Sequence, residues 1–131
     1  MKITSKYYGP AILWALFILI MCSIKTGEVG KSSIFFAGFD KLVHCGFFFV
    51  LVVFLFNGLI RQQSPVVISY KQLIIITVSS VLYGGFIELL QLTIFTWRSG
   101  EWSDLFADVV GASMGVFSVI FTVKAMIYEK K

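Results

Sequence analysis

Four long apolar runs constrain this chain more than any other feature: Tyr8 to Ile24, Leu42 to Ile60 (interrupted by His44 and Asn57), Leu73 to Phe95 (carrying Glu88 and Gln91) and Leu105 to Val123 (carrying Asp108). Each reaches the length of about 17–25 residues needed to cross a hydrocarbon core of about 30 Å. Inside lipid, backbone groups must find partners within their own segment or in a closed barrel. The runs are continuous rather than alternating, which excludes a barrel. The expected fold is therefore all-α, a polytopic four-helix transmembrane bundle. It forms one domain over residues 1–131, with helices at about 8–24, 41–60, 72–95 and 104–127. Charged residues make up only 14% of the chain, against about 25% in soluble domains. Any function must then sit inside the bundle or on its rims.

Lys2 and Lys6 ahead of the first run also describe a signal peptide. The exit Leu19-Ile20-Met21-Cys22-Ser23-Ile24 has no Ala-x-Ala pattern, and Met21 makes a poor lipobox of Cys22. A retained first helix is expected. Cys22 and Cys45 lie in apolar runs and read as small packing side chains, although a bridge between them is geometrically conceivable. In the first connector, Ile34-Phe35-Phe36 is too apolar for an ordinary loop and is expected at the membrane interface or folded back into the bundle. Ser103 stands where an N-cap would open the fourth helix, with Asp104 favourable to the dipole in its first turn.

A formal net charge of +4 does not make a nucleic-acid surface, because the basic residues are scattered over termini and connectors without a stripe or stacking platform. They report orientation instead. Lys2, Lys6, Arg61, Lys71, Lys124, Lys130 and Lys131 share one side of a four-span chain, and Lys25, Lys31, Lys41 and Arg98 the other. Seven against four predicts both termini in the cytoplasm. Trp97 and Trp102 outside, with Tyr7, Tyr8, Tyr70 and Tyr128 inside, read as interfacial belts. Trp14 reads as packing and Asn57 as an interhelical hydrogen-bonding group.

This topology gathers the polar residues at the outer ends of three helices. Asp40, Lys41 and His44 open the second helix, Glu88 and Gln91 close the third, Arg98 lies in the connector, and Asp104 and Asp108 open the fourth. At 1.5 Å of rise per residue, His44, Glu88 and Asp108 fall roughly 5–10 Å below the rim. Asp40 and His44 are four apart, as are Asp104 and Asp108, so each pair shares a helix face. Gly111 and Gly115 extend the latter face as a small-xxx-small groove for close helix approach, and Gly84 and Gly85 sit one turn before Glu88. A charge at the bilayer centre costs about 2.5–3.5 kcal/mol even on insertion scales. These groups should therefore face inward, toward one another, Lys41, Arg98 or water. Stapling a loop is the competing role for any one of them.

The same residues resemble the VanZ-like family of small bacterial membrane proteins, whose first described member is linked to teicoplanin resistance. Asp40-Lys41-Leu42-Val43-His44 resembles the family's Asp-Lys-x-x-His. Glu88-Leu89-Leu90-Gln91, Arg98 and the run from Asp104 to Gly111 resemble its Glu-x-x-Gln, Arg and Asp-x-x-x-Asn-x-x-Gly series, and Gly115 fits the glycine that follows. Asp108 stands where the family usually has Asn, which makes a cation or proton partner more plausible than a purely amide-like role. The resemblance implies a multi-pass protein of the bacterial cell membrane and supplies no reaction.

Three functions compete. The first is a non-enzymatic pocket in the outer leaflet that binds a glycopeptide, a lipid-linked cell-wall precursor or a lipid head group. Asp40, Lys41, His44, Glu88, Gln91, Arg98, Asp104 and Asp108 would line it, with Lys41 and Arg98 holding an anionic group. The second is an intramembrane enzyme in which His44 is the candidate general acid or base and the carboxylates hold a divalent cation. No His-Glu-x-x-His, Gly-x-Ser-x-Gly or Walker lysine is present, so no cofactor or metal site is assigned. The third is an ion- or proton-coupled transporter, which would need a homo-oligomer because four spans show no inverted repeat, or a structural partner of a larger complex.

Overall fold

The computed structural model describes residues 5–25 and 36–129. After a helical turn at Ser5–Tyr7 come four helices: α1 (Gly9–Ser23), α2 (Phe39–Ile60), α3 (Tyr70–Thr93) and α4 (Trp102–Glu129). Three of them, α2, α3 and α4, are long and apolar enough to cross a membrane. The expectation for Ile34-Phe35-Phe36 lies outside the described residues except at Phe36, which is exposed and meets the Phe39 ring edge-on.

Local chemistry sets the helix ends. Pro10 falls in the first turn of α1, where its missing N–H would have had no intrahelical partner anyway. Gly38 precedes α2 with φ of 87°, a left-handed conformation that costs glycine little. A reciprocal capping box opens α3: Ser69 Oγ accepts from Gln72 N, and Gln72 Oε1 accepts from Ser69 N. The start of α4 differs from expectation. The helix begins at Trp102, and Ser103 lies inside its first turn with its hydroxyl donating to Glu101 Oε2 at 3.0 Å. The carboxylate of Glu101 thus draws off the hydroxyl that would have capped.

With 15 residues, α1 is shorter than expected, about 22 Å at the usual rise. Gly9 and Pro10 start it and an extended Ile24 ends it. It nevertheless runs alongside α3 through most of the same layer. At its start, the Tyr8 ring lies against Gly58 and beside Gln72. At its end, the Cys22 carbonyl accepts from Gln91 Nε2 at 3.0 Å. Between these points Trp14 Nε1 donates to the Phe47 carbonyl at 2.9 Å, and Tyr83 Oη to the Ala15 carbonyl at 2.6 Å. Trp14 also packs against Phe17, Phe47 and Phe54, so packing is its role.

The core is built on α2, which touches all three other helices. Phe48, Val52 and Phe56 are buried among Ile18, Ile87 and Ala112. Large apolar side chains such as Leu13, Leu82, Phe117 and Phe121 cover the outer faces, the all-round hydrophobicity of helices meant for lipid. Both cysteines are free, Cys22 buried and Cys45 half-buried. Asn57 is exposed along a groove with Ser118 and Thr122 of α4.

The closest helix contact is between α2 and α4, and glycine makes it possible. A side chain at Gly111 would collide with the Cys45 carbonyl oxygen, and one at Gly115 would come within 2.9 Å of the Phe49 carbonyl. The small-xxx-small reading of α4 therefore holds, with α2 as the partner. This close approach carries Asp108, one turn before Gly111, onto His44, the residue before Cys45.

Candidate functional site

The ends of α2, α3 and α4 bring most of the expected polar residues together in two layers. The outer layer surrounds Lys41. Its ammonium donates to Asp40 Oδ2 at 3.2 Å, Glu101 Oε2 at 3.1 Å and Asp104 Oδ1 at 3.0 Å. An ammonium has three donors, and here each has a carboxylate. The expected use of Lys41 to hold an anionic ligand therefore changes: its donors already serve the protein, and carboxylate is in surplus. Asp40 and Glu101 are exposed while Asp104 is buried, so the layer reaches the surface. The Lys41 ammonium, and then the Ser103 hydroxyl, hold the Glu101 carboxyl below its usual pKa.

The inner layer consists of His44, Glu88 and Asp108, all buried. His44 Nδ1 and Asp108 Oδ1 are 2.9 Å apart. With Asp108 ionised, Nδ1–H is the donor and Nε2 remains an acceptor. Glu88 Oε2 accepts the backbone N–H of Glu101 at 2.9 Å. A side chain on α3 thus satisfies one of the N–H groups at the mouth of α4, where negative charge also suits the helix dipole. The other oxygens of the two acids, Glu88 Oε1 and Asp108 Oδ2, are buried without a hydrogen-bond partner. Gly84 leaves the room that Asp108 needs, since a Cβ there would lie 2.6 Å from Asp108 Oδ2. The inner layer is enclosed, unlike the open hydrated pocket expected from the sequence.

Gln91 serves the scaffold, and Arg98 is placed in the connector by its backbone. Gln91 is buried and ties α3 to the end of α1 through the Cys22 carbonyl, with its own Oε1 unpartnered. Arg98 is half-buried in the connector, where its backbone N–H donates to the Phe95 carbonyl at 2.8 Å. Next to it, Trp97 Nε1 donates to the Ser23 carbonyl at 2.9 Å, closing the same end of the bundle.

Sequence reasoning missed Glu101. It lies in the connector, outside any apolar run, yet it stands three residues before Asp104. That spacing was the available signal that both carboxylates meet one partner. At the opposite end of the bundle, an apolar cleft of about 340 Å³ is lined by Tyr8, Leu55, Leu59, Gln72, Ile75, Ile76 and Ser79. It contains none of the ionisable groups of the two layers. Compared with known protein families, curated proteins and solved structures, the chain matches none.

Proposed function

We propose that this chain is a multi-pass protein of the bacterial cell membrane, akin to the VanZ-like proteins, that binds a polar envelope ligand at its outer rim. The proposal has four crossings and both termini in the cytoplasm. The distribution of Lys and Arg supports it, as does the way α1 packs alongside α3 through most of one layer. The observation that carries the binding reading is the composition of the rim: Asp40, Glu101 and Asp104 surround a single ammonium, that of Lys41. Three carboxylates against one ammonium leave two formal negative charges. Trp97 and Trp102 lie exposed in and just after the connector, and exposed indole faces attract cations. The ligand that fits carries a primary ammonium, as the phosphatidylethanolamine head group and amine-bearing cell-wall precursors and glycopeptides do.

The test uses the full chain in nanodiscs and follows tryptophan fluorescence. The titrants are phosphatidylethanolamine, a lipid-linked precursor and teicoplanin, each compared with its N-acetylated form. Saturable binding of at least one is expected, weakened about tenfold or more, roughly 1.4 kcal/mol, by acetylation or by the double variant Glu101→Gln/Asp104→Asn. Equal binding of free and acetylated ligands excludes ammonium recognition.

The pairing of His44 with Asp108 favours a second reading, an intramembrane enzyme whose oriented imidazole acts as general base through Nε2. A single-turnover assay with lipid pyrophosphates and Mg²⁺ separates the two. Equal rates for the unaltered chain and His44→Ala remove the enzyme.

A further inference from the structure

We infer that His44, Glu88 and Asp108 form a binding site for a first-row divalent cation of the Zn²⁺ or Mn²⁺ type. The inference concerns the inner layer and does not rest on ligand binding at the rim.

Geometry comes first. The three side chains come from three different helices, and one donor atom of each lies within 4.8 Å of the others. A first-row metal holds its N and O ligands at about 2.0–2.2 Å, which puts neighbouring ligand atoms roughly 3–3.5 Å from one another. His44 Nδ1 and Asp108 Oδ1, at 2.9 Å, lie just inside that spacing, and the proton that joins them would move to Nε2 or to solvent when a metal takes its place. Glu88 has only to close in.

The second observation is independent of the clustering. His44 is 3% exposed, Glu88 7% and Asp108 0%, and both acids bury an oxygen with no hydrogen-bond partner. Buried polar atoms are nearly always satisfied, so two orphaned carboxylate oxygens in one enclosed cluster point to a positive partner. Lys41 does not supply it, since its three N–H groups serve the rim. With a neutral imidazole, two carboxylates carry two negative charges, which one divalent cation balances.

The donor set selects the ion class. One imidazole with two carboxylates suits borderline first-row metals, whereas Mg²⁺ and Ca²⁺ take oxygen alone. Neither Cys22 nor Cys45 joins a candidate metal set among the described residues, which argues against the softest ions. The alternative cluster, Asp40 with Glu101 and Asp104, already has Lys41 among its carboxylates.

The experiment loads the full chain in nanodiscs with Zn²⁺ or Mn²⁺, removes loose metal by gel filtration and measures metal per chain by mass spectrometry. One equivalent is expected in the unaltered protein and in Glu129→Gln, a distant surface control. At least a tenfold loss of affinity is expected in Glu88→Gln and in Asp108→Asn. Pulsed EPR on the Mn²⁺-loaded unaltered protein should show a nitrogen coupling from the chain's single histidine, so the inference stands or falls even if the variants fail to fold. Absence of bound metal in the unaltered protein, or bound Mn²⁺ without nitrogen coupling, overturns it. So does metal lost in Glu101→Gln but kept in Glu88→Gln, which would move the ion to the rim.

Discussion

Replacing Gly111 by alanine tests the contact that brings α2 and α4 together. The new Cβ would overlap the Cys45 carbonyl oxygen and lie 2.8 Å from its carbon and 2.9 Å from Cys45 Cα, where ordinary contacts begin at 3.4 Å. Relief of the overlap with the carbonyl oxygen requires the helices to separate by roughly 1 Å or more, an overpacking strain of about 1–3 kcal/mol. The His44–Asp108 contact, 2.9 Å in the structure, then stretches beyond about 3.5 Å, where a hydrogen bond is lost. Losing a bond to a charged group adds about 1.5–3 kcal/mol. Alanine returns about 1 kcal/mol through helix propensity, which leaves a net destabilisation of about 1.5–5 kcal/mol. Gly46, one residue after Cys45, is the control: a Cβ there meets nothing within 4 Å. Gly46→Ala should be neutral or stabilising by up to about 1 kcal/mol. Reversible unfolding in bicelles measures both variants. A gap of about 2 kcal/mol or more is expected. Equal stabilities would refute the close approach and, with it, the reason why His44 and Asp108 meet.

Other expectations test the remaining contacts. Trp14→Phe keeps the aromatic packing but removes the bond to the Phe47 carbonyl, and should cost about 0.5–1.5 kcal/mol in the same unfolding assay; no loss would mean that this bond adds nothing to the hold on α1. Acid should release Glu101 from the rim. Its folded pKa lies below the ordinary 4.5 because Lys41 and then Ser103 favour the charged form. Its contribution is therefore full above the unfolded value and disappears as pH falls through the folded one. The difference in thermal stability between the unaltered chain and Glu101→Gln should be present at about pH 6 and close toward about pH 3. A difference that does not change with pH contradicts the pairing with Lys41.

What the sequence made legible was periodicity and apolar length. Apolar runs give helices, and the four-residue spacings of Asp40 with His44 and Asp104 with Asp108 give shared faces. Gly111 and Gly115 mark the groove that α2 occupies. The capping box at Ser69 and Gln72 was equally readable as Ser-x-x-Gln. Other features depend on backbone partners that carry no side-chain signature. Gln91 answers to the carbonyl of Cys22 and Glu88 to the N–H of Glu101, so neither role follows from residue type. Glu101 escapes because connectors have no period, and counting charges does not show that Lys41 already touches three carboxylates. The two residues by which α1 falls short are its caps, Tyr8 and the extended Ile24, which are as apolar as the helix and carry no capping side chain.

The convergence of α2, α3 and α4 on one buried cluster is tested most directly by a dipolar-recoupling NMR measurement on the membrane-embedded chain. The chain has one histidine, so ¹⁵N-histidine labels His44 alone, and ¹³C at aspartate Cγ labels its candidate partner. With Nδ1 at 2.9 Å from Asp108 Oδ1, a strong Nδ1-to-Cγ coupling is expected, and it should vanish in Asp108→Asn while Asp40 and Asp104 keep their labels. No coupling in the unaltered chain, or a coupling that survives that substitution, would contradict the account.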